Sequence, residues 1–136
     1  MITYQGTGAL APAQGIVALE YLVSGNPAPG CAELLAALEA GALPPGTEVR
    51  QSFQRLVPDL VPNDFRLVPP PSRSNGCPAG SATGTFAALL YDAVQPPCPG
   101  GGCPPPPPLL ATACAEGVTL HADRKTRLDL TVQAVP

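Results

Sequence analysis

Alternation of apolar and polar residues is sharpest near the end of the chain. In KTRLDLTVQAV (125–135), Leu128, Leu130 and Val132 face one way, and Arg127, Asp129, Thr131 and Gln133 face the other. A period of two is that of a half-buried antiparallel strand. ATACAEGVTL precedes it across the short polar HADR, so the pattern predicts two strands closing the chain as a hairpin. SATGTFAALLYDAV (81–94) sets Phe86, Ala88 and Leu90 against Ala87, Leu89 and Tyr91. A strand apolar on both faces belongs in the middle of a sheet that is covered on both sides.

Earlier segments are less uniform. In IVALEYLVS (16–24), Val17, Leu19, Tyr21 and Val23 share one face, although Glu20 among apolar neighbours leaves a helix open. GNPAPG (25–30) closes that run with turn chemistry. CAELLAALEAG (31–41) reads as a short helix. It is rich in helix formers, Leu34, Leu35 and Leu38 form an apolar face, and Gly41 stops it. TEVRQSFQRLV (47–57) fits a strand with Val49 and Phe53 on one face better than a helix cut off by Pro58. Residues 58–80 read as irregular, with Phe65 and Leu67, joined by Val61, able to pack a short strand. The expected fold is mainly β: an antiparallel β-sandwich with one short helix at about 31–41 and long Pro/Gly-rich loops. The expected organisation is a single β-rich domain over 1–136, with Pro-rich loops at 58–80 and 95–109.

Composition sharpens this picture. The chain has 136 residues with 20 Pro and 14 Gly, yet 45% of it is apolar and only 12% charged. Disordered chains show the opposite balance, so the prolines are read as stiffening the loops of a folded domain. Seven Lys and Arg against ten Asp and Glu give a net charge of −3. Such a chain lacks the basic footprint that displaces counterions from nucleic acid. It has no apolar run of about 18 residues, so no membrane span is expected. MITYQGTGAL lacks the charged and apolar regions of a signal peptide.

Five cysteines lie in or beside Pro/Gly-rich stretches: Cys31, Cys77, Cys98, Cys103 and Cys114. This distribution points to disulfides and an oxidising compartment, with one thiol left over. Cys98 and Cys103 bracket Pro-Gly-Gly-Gly in QPPCPGGGCPPPPPLL (95–110), and a local bridge between them is expected. It would contribute about 2 kcal/mol on the chain-entropy model. Cys31–Cys77 is the expected second staple, leaving Cys114 unpaired. A zinc set of Cys98, Cys103, Cys114 and His121 is disfavoured by the four-residue spacing, and thiol redox chemistry requires C-x-x-C at a helix start. The five prolines at 104–108 read as a stiff connector to the next strand, with a polyproline ligand as the alternative.

GVTLHADRKTRLDLTVQ (117–133) resembles the closing hairpin of carboxypeptidase-regulatory-like domains, the transthyretin-like β-sandwich modules of bacterial envelope proteins. The resemblance covers about an eighth of the chain. It implies a non-catalytic sandwich module and carries no functional residues across.

With a single His and no nucleophile or zinc-hydrolase motif, no catalytic residues, cofactor or metal are expected. The expected function is therefore a non-enzymatic extracytoplasmic module with a structural or binding role, located outside the cell or in its envelope. Its partner would be another protein or copies of itself. The alternative is a self-assembling subunit of a filament, pilus or virion, and a small metal-dependent enzyme is the remote third reading.

Overall fold

A computed structural model describes residues 2–10, 15–57, 65–67, 81–93, 109–121 and 127–135. The fold is mainly β and sandwich-like, with strand pairings that are antiparallel except for one, and one short helix. The elements run β1 (Ile2–Gln5), β2 (Ile16–Gly25), α1 (Cys31–Glu39), β3 (Thr47–Val57) and β4 (Phe65–Leu67). They continue with β5 (Ser81–Asp92), β6 (Leu109–His121), β7 (Leu128–Thr131) and β8 (Gln133–Ala134). A 3-10 turn at Thr7–Ala9 follows β1.

Two sheets form the sandwich. The larger has five strands in the order β3-β2-β5-β6-β8, and the smaller has three in the order β4-β1-β7. Strand β5 lies centrally in the larger sheet, and its residues 84–90 are all buried, as its two apolar faces predict. One face, with Phe86, Ala88 and Leu90, meets Ile16, Ala18 and Leu22 of β2 and Ala111 and Ala113 of β6. Ile2, Tyr4, Leu130 and Val132 come from the smaller sheet to complete this core. On the other face, Ala87 packs with Val23 and Leu34 under α1. Helix, large sheet and small sheet thus make three layers.

The alternation in β2 separates the layers. Ile16, Ala18, Glu20 and Leu22 point between the sheets and are buried, whereas Val17, Leu19 and Tyr21 are half-buried on the outer face. The segment is a strand, so the helix left open by Glu20 does not form. Strand β3 runs antiparallel to β2 from Gly25↔Thr47 to Ile16↔Val57. Its register shifts opposite Leu22/Val23, so that Arg50 is an extra residue. Val49 therefore pairs with outward-facing Val23 and Phe53 with inward-facing Glu20. The expectation that Val49 and Phe53 share a face is corrected by this bulge, because an inserted residue inverts the alternation beyond it.

The expected closing hairpin is also corrected. Strand β6 pairs with β5, but β7 runs parallel to β1, with Leu130 opposite Tyr4. The two strands flanking HADR belong to different sheets. Immediately after β7 the chain changes sheet again. The Val132 N–H donates to the Gln5 carbonyl, and from the next residue β8 joins β6 through Ala111↔Ala134 and Thr112↔Gln133. Alternation along 128–132 is as expected, with Leu130 and Val132 buried and Asp129 and Thr131 exposed. Periodicity specifies which residues turn inward; it does not specify which strand lies alongside.

Helix α1 ends at Glu39, two residues short of the expected boundary, with Gly41 beyond it at φ +79°. The short strand expected around Phe65 and Leu67 is β4, paired antiparallel to β1. Leu109, assigned to the second Pro-rich loop, opens β6 instead. The remaining residues of the two expected Pro-rich loops lie outside the described set.

Candidate functional site

The polar chemistry inside this fold converges on Glu20. Strand β2 aims its side chain between the sheets, where it is 0% exposed. The Tyr4 hydroxyl reaches it from β1 in the opposite sheet and donates to Oε2. From the adjacent strand β3, Arg55 Nε donates to Oε1 at 2.5 Å. Arg55 lies diagonal to Glu20 across the β2–β3 ladder, since Ala18 pairs with Arg55 and Glu20 with Phe53. Its guanidinium carbon sits 4.9 Å from the Phe53 ring centre, a cation–π contact within one strand. Each carboxyl oxygen thus meets a donor from a different sheet.

Burial dominates the electrostatics. It pushes the Glu20 carboxyl above its ordinary value; the Tyr4 hydrogen bond and the Arg55 charge act the other way without cancelling it. The Tyr4 phenol is pushed far up, first by burial and then by the neighbouring carboxyl, so it stays a proton donor. The Arg55 side chain is 9% exposed, so water barely screens the pair. By contrast, Glu48–Arg50 and Arg127–Asp129 are exposed ion pairs of the kind that adds little to stability. Tyr4 and Glu20 are fully buried, and Arg55 is partly buried beside them. Their arrangement ties β1, β2 and β3 together and fixes how the small sheet sits on the large one.

This cluster was only half legible in the sequence. Glu20 stands out in the sequence as a charge among apolar neighbours, which marks its position and leaves its partners unnamed. Its position on the Ile16, Ala18, Leu22 side of a period-two pattern is the signal that a partnered, buried carboxylate was required. Tyr4 and Arg55 carry no comparable local mark.

A second constellation joins α1 to the outer face of the large sheet. Cys31, the first residue of the helix, is disulfide-bonded to Cys114 of β6, with Cα atoms 5.8 Å apart and a sequence separation of 83. Two expectations are corrected here. Cys114 is paired, and Cys31 takes Cys114 and not Cys77 as its partner. The reason is topological: Cys114 pairs with Ala87, which pairs with Tyr21, so Cys114 lies on the face that α1 covers. A disulfide sulfur cannot serve as a thiolate ligand, so Cys114 also leaves the zinc set weighed above. His121 ends β6 seven residues further on, about 23 Å away at strand rise. Cys77, Cys98 and Cys103 lie outside the described residues, and with them the Cys98–Cys103 bridge. Among the described residues no three His, Cys, Asp or Glu cluster in a way that could hold a metal.

The bulge in β6 supplies a second tie. Gly84 pairs with Val118 and Phe86 with Ala115, so Glu116 and Gly117 together face Thr85. Gly117, the second of the two, takes φ +66°, a left-handed conformation that glycine adopts without steric cost. Glu116 then accepts a hydrogen bond from the Cys31 N–H at 3.3 Å. It takes the place of the side-chain cap that Gly30 cannot provide, and its charge suits a helix N-terminus. Upstream, the Thr85 hydroxyl donates to the Pro29 carbonyl at 2.5 Å. On the chain-entropy model a bridge of this span contributes about 4 to 5 kcal/mol.

No helix of the described residues is long and apolar enough to cross a membrane. No protein-family model, no curated protein and no solved structure matches the chain.

Proposed function

We propose that this chain is a non-enzymatic extracytoplasmic β-sandwich module with a structural or binding role, its shape held by disulfides. The observation that carries this reading is the Cys31–Cys114 bond between the helix and strand β6 of the large sheet. Disulfides of long span persist where the surroundings are oxidising and are rare in reducing cytosol. The buried polar groups support the same reading, because both oxygens of Glu20 are engaged by side chains of the core. A site spent on joining sheets suits a scaffold better than a catalyst. The partner is another protein or further copies of this chain.

Peptide mapping of the protein from its native host under non-reducing conditions tests the proposal. The expected result is a linked peptide pair containing Cys31 and Cys114. Recovery of five free thiols would overturn it.

One observation favours the second reading, a self-assembling subunit. Strand β3 occupies one end of the strand order, and Leu56 on its outward face is 58% exposed, the most exposed large apolar side chain among the described residues. Apolar surface at the end of a sheet is a common point of contact between chains. Light scattering after size-exclusion chromatography separates the two readings: a monomer at millimolar concentration rejects the subunit.

A further inference from the structure

We propose that α1 is a lid, hinged in the β2–β3 connection and latched by the Cys31–Cys114 disulfide, which a dithiol reductant opens. The inference rests on the same bond that carries the functional reading, and extends it from a permanent staple to a switch.

The topology makes a hinge available. Strands β2 and β3 are hydrogen-bonded neighbours to their very end, where Gly25 pairs with Thr47. Residues 26–46, α1 included, are therefore one excursion from the end of a hairpin. That excursion folds back over β5 and reaches β6, two strands away from its root. Lifting it breaks no ladder of the large sheet.

What holds the lid down is limited. The helix has nine residues, shorter than the roughly 12 to 15 that an isolated helix needs in water, so its order depends on docking. Leu34 is its one fully buried side chain, with Leu35 and Leu38 packed in part. Besides these, among the described residues, the disulfide, the exposed Glu116 hydrogen bond and the Thr85–Pro29 hydrogen bond just before the N-cap secure its start. Both cysteines are partly exposed, so a reductant can approach. Beneath the helix lie Tyr21, Val23 and Ala87, an apolar face that opening would expose to water.

The opening reaction is a two-electron exchange. One thiolate of the dithiol attacks a sulfur of the bridge, and its second thiol closes the reagent into a cyclic disulfide. Two electrons and two protons end on Sγ of Cys31 and Sγ of Cys114.

A glutamate-specific endoproteinase reads the lid, because Glu33 and Glu39 lie on α1. On reduction, cleavage after these two residues should accelerate about tenfold or more, in step with the open population. The Cys31→Ser/Cys114→Ser variant should be cut at that faster rate without reductant, which separates this bond from the other cysteines. Amide exchange, followed on the variant and on reduced wild type, should lose protection in α1 while β2 and β5 keep theirs. Unchanged cleavage after reduction would overturn the latch. So would loss of protection in α1, β2 and β5 together, which would make the bond a staple of the whole fold. Absence of the Cys31–Cys114 peptide from native protein would instead overturn the functional reading on which the latch depends.

Discussion

Tyr4 and Glu20 sit in opposite sheets, both 0% exposed, and the Tyr4 hydroxyl donates to the Glu20 carboxyl across the core. This bond is a polar link between two layers whose shared core includes Ile2, Leu22, Phe86 and Leu130. Tyr4→Phe keeps the ring and removes the donor, leaving Oε2 buried without it. The expected cost is about 1 to 3 kcal/mol, measured by urea unfolding. A change below a few tenths would show that the hydroxyl contributes nothing net.

The acidity of Glu20 sets the sign of a pH effect. Burial raises its folded value, so the folded protein holds this proton more tightly than the unfolded chain. The contribution is complete below the ordinary carboxylate range and is lost as pH climbs through the raised value. Across that window the stability of wild type relative to Glu20→Gln should decline with rising pH. A difference that grows with pH would mean that Tyr4 and Arg55 outweigh desolvation.

Arg55 and Glu20 should not be separable without penalty. Removing one charge of a buried pair strands the other, so Arg55→Ala should cost about 3 to 5 kcal/mol. Replacing both, as Glu20→Leu with Arg55→Met, should recover most of that loss, since apolar side chains of similar size avoid desolvation altogether. Thermal unfolding of the two variants and wild type tests the comparison. A double variant no better than Arg55→Ala would contradict it.

Gly84 packs directly on the backbone of β2. A Cβ there would lie 2.2 Å from the Val23 carbonyl oxygen, and a backbone atom cannot swing aside as a side chain can. Gly84→Ala should therefore destabilise by about 1 to 3 kcal/mol, with amide exchange rising first around Val23 and Ser24. An unperturbed unfolding midpoint would show that the strands separate at little cost.

The features that could be read from sequence are those set by neighbouring residues. CAELLAALE is a helix because its formers and its leucine face lie within three turns. Residues 81–92 form a central strand because both faces are apolar, and 128–132 turn Leu128, Leu130 and Val132 to one side. Each of these follows from steric and solvation preferences acting along a few bonds. Glu20 was visible as an anomaly in such a pattern, but its role was not.

Tertiary structure decided everything that depends on which distant segments meet. It placed β7 beside β1 and away from β6, paired Cys31 with Cys114, and brought Tyr4 and Arg55 to one carboxyl. Strand pairing is chosen by the burial of whole faces, and one inserted residue at Arg50 is enough to turn Val49 and Phe53 to opposite sides. Cysteine pairing is chosen by proximity after folding, which no count or spacing contains. Local sequence thus determined the elements and their inward faces, while the packing of those faces determined the partners.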